Sequence, residues 1–219
     1  RRISWPASAI KGAEAFAVHA GGQELAMHDG RNDPGFALHY SVEPTPGRHT
    51  LGSGLYYEMY RLWKVVKGVP KIFPIYWKGS KYKNPDKHAE MAAVNSKYMT
   101  IINCTGVCKF GAFLGADRIR IFDWINAATG WGLLPEQYLE KAADIHTLKQ
   151  SFNVKHGIEP KDNKISERAL GRPVQTRGAN KGRSIDIEEM MSRYWELFGW
   201  DGETGKPSSL QVNKITADL

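Results

Sequence analysis

The sequence predicts a mainly α fold with long ordered loops, treated as one helical region over residues 1–219. Three observations carry that expectation. Apolar residues recur at helical spacing in several stretches, glycine and proline mark their ends, and the segments between them are polar and dense in Gly, Pro, Asp and Asn. A chain of 219 residues that is 42% hydrophobic can bury a substantial core, which excludes a disordered protein.

Taken in order, residues 11–20 favour a short helix, stopped by Gly21-Gly22. Residues 22–54 read as ordered loop with short extended pieces, and a connection this long points to a binding or catalytic surface. Residues 54–66 place Leu55, Met59, Leu62 and Val66 at helical spacing, ended by Gly68 and Pro70. The aromatic, basic stretch 71–83 is interrupted by Pro74 and Gly79 and reads as irregular. Asn84-Pro85-Asp86 then supplies a cap, an early proline and an early carboxylate, starting a helix that should run to about Ile102 with Met91, Val94, Tyr98 and Ile101 on one face. Two further helices are expected at 117–128 and 135–152, the second with Tyr138, Ala142, Ile145, Leu148 and Phe152 facing inward. Residues 157–184 read as a long surface loop. A last amphipathic helix follows at 185–198, with Asp186 as cap and Gly199 as stop, and then a polar tail.

The formal charge of +7 permits an acidic partner such as nucleic acid, a membrane surface or a small acidic redox protein. The basic residues are dispersed, so composition argues against nucleic acid and favours a solvated surface, although lysines and aromatics interleave at 71–83. No apolar run reaches the length of a spanning helix, which argues against a membrane role. Two cysteines four residues apart build no disulfide framework, and the expected compartment is cytoplasmic.

The stretch Asn103-Cys104-Thr105-Gly106-Val107-Cys108-Lys109-Phe110 holds the chemistry. Gly106 interrupts any helix that would align the two thiols, and two thiolates alone do not complete a tetrahedral zinc site. A thiol beside a glycine suits close approach to a bulky cofactor, with small buried thiols as the alternative. The seven histidines form no paired metal motif. Among them His49 follows the stiff Pro44-Thr45-Pro46-Gly47-Arg48 approach, and Arg48 beside it would resist its protonation. His28-Asp29 reads as an orienting pair or as a turn.

Three separated segments resemble the C-terminal part of the tungsten-containing aldehyde:ferredoxin oxidoreductases. They are GQELAMHDGR with PGFALHYSVEPTPGRHT, the box NCTGVCKF, and SFNVKHGI paired with YWELFGWDGETGKP. The resemblance implies oxidation of an aldehyde substrate to a carboxylate with water, and two electrons passed through a [4Fe-4S] cluster to ferredoxin or a similar carrier. It implies tungsten, or molybdenum in its place, held by two pterin dithiolenes. By position, Cys108 would be the one cluster ligand from this end of the polypeptide, Val107 would offer backbone to a pterin, and His49 would be the active-site histidine. Asn103 stands where the family usually has an Asp that hydrogen-bonds the pterin, so its contact should be weaker.

The family's three further cluster cysteines, its first Asp-x-x-Gly-Leu box, its catalytic Glu and its N-terminal pterin-binding domain have no counterpart in these residues. The expectation is therefore a fragment or subunit, inactive alone and completed by an N-terminal part, and compatible with a homo-oligomer. The alternative is a non-catalytic helical interaction domain that retained the fold.

Overall fold

The computed structural model describes residues 9–51, 53–71, 84–114 and 119–217. It is mainly α, as expected. A two-stranded antiparallel hairpin, β1 (His19–Ala20) and β2 (Gln23–Glu24), precedes eight helices among the described residues. These are α1 (Pro34–Val42), α2 (Gly54–Tyr60), α3 (Pro85–Thr105), α4 (Lys109–Leu114), α5 (Ile121–Thr129), α6 (Pro135–Lys155), α7 (Ile187–Glu196) and α8 (Ser209–Ala217).

The long helix α3 is the axis of the fold and packs most extensively on α6 and α7, then on α1 and α2. Its start is built as its sequence predicts: the Asn84 side chain accepts from Lys87 N at 2.9 Å, Pro85 opens the first turn, and Asp86 faces the helix dipole. Small residues Ala89, Ala92 and Ala93 let α1 and α7 approach one side of α3, forming a core with Leu38, Tyr40, Ile187, Met190 and Trp195. Bulkier Met91, Tyr98, Met99, Ile101 and Ile102 fill a second core with α2, α5 and the first turns of α6. Burying each such large side chain contributes about 2 kcal/mol.

Helix α1 lies within the segment whose sequence reads as loop. All nine of its residues are buried, so it has no polar face and no amphipathic stripe to betray it. Its start is nevertheless written in Asp33-Pro34, where Asp33 accepts from Gly35 N at 2.9 Å. The same carboxylate accepts from Gly54 N at 3.3 Å and Leu55 N at 3.2 Å, so it caps α1 and α2 together. A Cβ at Gly35 would stand 2.9 Å from Gly54 N, which is why a glycine sits there.

Other boundaries differ from the expectation for local reasons. Residues 11–20 form only a 3-10 turn, Ala13–Ala15, and then β1, because Gly21 and Gly22 at φ 53° and 76° turn the chain back as a hairpin. Helix α2 ends at Arg61, which takes φ 51°, so Leu55 and Met59 stay partly exposed while Tyr57 and Tyr60 point inward. In α6 the inward face is Tyr138, Leu139, Ala142, His146, Thr147 and Gln150, leaving Phe152 and Ile145 outside. Polar groups occupy that face because partners await them: Trp200 Nε1 donates to Thr147 Oγ1 at 3.0 Å, and Gln150 Nε2 to the Gly205 carbonyl at 3.2 Å. The loop 157–184 buries Ile165 and Leu170 completely, and the tail read as polar contains α8. Residues 72–83 of the aromatic, basic stretch lie outside the described residues, as does the start of the helix expected at 117.

Candidate functional site

The corner between α3 and α4 is open. Helix α3 ends where Gly106 takes φ 70°, and among the described residues nothing stands within 4 Å of where its Cβ would be. Asn103 and Cys104 in the last turn are exposed, Val107 is half-buried, and Cys108 is exposed. The Cys108 backbone is committed to starting α4, its carbonyl accepting from Ala112 N at 3.0 Å, while its thiol faces outward. The reading of small buried thiols therefore does not hold. As Gly106 foretold, one helix does not carry both thiols: Cys104 lies in the last turn of α3 and Cys108 immediately precedes α4.

His49 opens a 3-10 turn, His49–Leu51, after a tightly closed loop. Gly47 N donates to the Tyr40 carbonyl at 3.1 Å, and Asn153 Nδ2 donates to the Pro44 carbonyl at 2.6 Å. The His49 ring lies 5.0 Å from that of His28, and His28 stacks on Phe36 at 4.6 Å between centroids. Phe36 meets Tyr56 edge-on at 5.5 Å, and the Lys109 ammonium sits 4.0 Å from the Tyr56 ring centroid. An unbroken row of contacts thus runs from His49 through His28, Phe36 and Tyr56 to Lys109, the neighbour of Cys108. Two residues remote in sequence are brought to one face by α1 and α2.

The electrostatics of this row follow from half-burial among like charges. Burial lowers the His49 pKa, and His28, Lys109 and Arg48 lower it further, so its imidazole is neutral at pH 7. Lys109 is pushed down to about 8, by burial first and Arg48 second. A neutral imidazole at one end of the row, and an ammonium that parts readily with its proton at the other, can each exchange a proton with a polar molecule that reaches it.

His28 is not oriented by Asp29. That carboxylate is held by Arg31, at 2.9 Å from Nε and 2.7 Å from Nη2, and by Asn180 Nδ2 at 2.8 Å. Burial alone would raise the Asp29 pKa, but these Arg31 contacts hold it below the usual range. The His28-Asp29 pair is therefore a turn, whose register is reinforced by Tyr40 donating to the His28 carbonyl at 3.1 Å. Sequence reasoning missed His28, Tyr56 and Lys109 as neighbours of His49, because only the packing of α1 on α2 joins them.

Among the described residues no group of three or more His, Cys, Asp and Glu side chains is placed to hold a metal ion. The corner offers two exposed thiols, Cys104 and Cys108, and space beside Gly106. This donor set fits one contribution to a metal cluster, with the other ligands supplied elsewhere, and does not fit a complete site. Among the described residues no helix is long and apolar enough to cross a membrane.

The family described as aldehyde ferredoxin oxidoreductase, domains 2 and 3, matches residues 4–215. The tungsten-containing aldehyde ferredoxin oxidoreductase of Pyrococcus abyssi is 31% identical over 180 residues, covering 81% of this chain and 27% of the relative. Those of Thermococcus kodakarensis and Pyrococcus furiosus are 30% and 31% identical over 191 and 185 residues, covering 86% and 84% of this chain. The chain spans 27% to 29% of the length of these relatives. With a match across nearly its whole length, this chain belongs to the aldehyde ferredoxin oxidoreductase family.

Proposed function

We propose that this chain is the helical part of a tungsten-dependent enzyme that oxidises aldehydes to carboxylates. The observation that carries the reading is the row that joins His49 to the Cys108 corner, with both ends reachable from outside. When bound, tungsten on two pterin dithiolenes would supply the two-electron oxidation, and a [4Fe-4S] cluster would pass the electrons to ferredoxin or a similar carrier.

The chain's own residues have narrower tasks. Cys108 gives one thiolate to the cluster, the remaining ligands coming from the N-terminal part of the enzyme. Val107 presents backbone to a pterin, and Asn103 offers it an amide where a carboxylate is usual, a weaker acceptor. His49, kept neutral by burial and by His28, Lys109 and Arg48, takes a proton from the water or substrate oxygen at Nδ1 or Nε2. Lys109 lies between the thiol and the histidine, where its charge stabilises negative charge arriving at either end.

On this reading the chain is inactive without the rest of the enzyme, since one thiolate cannot hold a four-iron cluster. The test is metal analysis and dye-linked aldehyde oxidation by the full-length protein. Tungsten and about four irons per polypeptide, with activity, are the expected result. Neither metal and no activity would leave the alternative, a non-catalytic helical interaction domain.

A further inference from the structure

Beneath the His49 loop, α1, α3, α6 and α7 bring together five polar side chains, each almost entirely buried: His39, Glu43, Ser96, His146 and Tyr194. Ser96 and Tyr194 both donate to Glu43 Oε1, Tyr194 at 3.1 Å. Tyr194 also stands 2.9 Å from Ser96 Oγ and 3.0 Å from His146 Nε2. His39 Nε2 is 3.1 Å from Ser96 Oγ and 3.2 Å from the Ala92 carbonyl, with Nδ1 3.0 Å from the Gly35 carbonyl. The second carboxyl oxygen, Oε2, lies 3.5 Å from His146 Nε2.

No lysine or arginine forms a salt bridge with Glu43 among the described residues. Lys149 from α6 and Arg48 from the loop act on it only through their fields. Lys149, His39 and Lys97 act in the same way on His146. A lone carboxylate so placed is expensive to ionise, whereas the protonated acid carries no charge to bury. Burial accordingly pushes Glu43 up to about 7 and His39 and His146 down to about 4 and about 3.

Glu43 is also the residue from which the active loop leaves. It caps α1, its N–H donating to the His39 carbonyl at 3.3 Å, and the chain then runs directly through Arg48 to His49. Arg48 acts on Glu43, His49 and Lys109 alike. A charge appearing on Glu43 would draw on Arg48 and so relieve the positive field at His49.

We propose that these five side chains form a buried proton-binding site in which Glu43 takes up and releases one proton, and that through Arg48 it acts as a positioning residue for His49. The second half rests on His49 being the active-site histidine; the first does not.

Glu43→Gln in the full-length protein keeps the shape and hydrogen bonding of the acid but holds no exchangeable proton. The sign is set by the raised pKa: the stability owed to the retained proton is fully present below about 4.5, the usual glutamate range, and is gone once pH has passed about 7. The two histidines work in the opposite sense, losing stability as pH falls from about 6.5 toward 4 and 3. They are common to both proteins, so the wild-type melting temperature minus that of the variant isolates Glu43. This difference should fall between about pH 4.5 and about pH 7 and level off above. Ser96→Ala, which removes a donor to the carboxylate, should shift the fall to higher pH by about half a unit or more.

A difference that is flat across this range in both comparisons overturns the proton site. In dye-linked aldehyde oxidation, the pH profile of wild-type turnover should lose one ionisation near 7 in Glu43→Gln. Identical profiles would make the cluster structural and overturn the positioning role. If the wild-type protein oxidises no aldehyde, the proposed activity fails, and the melting difference still decides whether the proton site exists.

Discussion

Helix α1 serves two polar assemblies of opposite character. Its His39 belongs to a cluster in which hydrogen-bonding groups from four helices satisfy one another out of reach of water. Its Phe36 belongs to the row that ends at the corner of Cys108 and Lys109, where an exposed cysteine adjoins a half-buried ammonium. The first assembly is finished by its own chain. The second ends at exposed groups, and the contrast teaches which of the two an external molecule can reach.

The largest effect should come from the outward assembly. His49→Ala in the full-length protein should lower aldehyde turnover by about 10²-fold or more while tungsten and iron are retained, read from steady-state rates beside metal analysis. Unchanged turnover would remove His49 from the chemistry and erase the distinction. Next in size is an interior control. Leu38→Ala, at a fully buried position, should cost about 3 kcal/mol of stability, measured by thermal or denaturant unfolding, with the metals still bound in the folded fraction.

The corner can then be divided. Cys108→Ser should lower iron content and slow electron delivery to an external dye by about tenfold or more, whereas Cys104→Ser should change stability by no more than about 0.5 kcal/mol and leave iron intact. Equal losses in both variants would contradict the assignment of one thiol to the cluster. The smallest effect sharpens the field along the row. With its pKa down to about 8, Lys109 should react with an amine acylating reagent at pH 9 well before exposed lysines do, and Arg48→Ala should move that reactivity to higher pH. Peptide mapping by mass spectrometry reads both.

How much of this could be read in the chain depended on whether a residue's neighbours are close in sequence. Helix α3 was legible from Asn84 to about Ile102, three residues short of its end at Thr105, because its cap and its proline are local signals. Helix α1 was not, because a helix buried on every side shows no period, and only Asp33-Pro34 hinted at it. The inward face of α6 was misassigned for a related reason. His146, Thr147 and Gln150 look like surface residues until Tyr194, Trp200 and Gly205 supply their partners from the far end of the chain. At the site, His49 and Cys108 came from their motifs, while His28, Tyr56 and Lys109 depend on tertiary packing that no local pattern encodes.

Asp33 gives the row its mechanical integrity. One carboxylate grips the first turns of both α1 and α2, so Phe36 and Tyr56 hang from a common rivet. Neither helix can slide along the other without surrendering a cap. A single side chain thus fixes the spacing of Phe36 and Tyr56, and losing it would loosen the middle of the row from both sides at once.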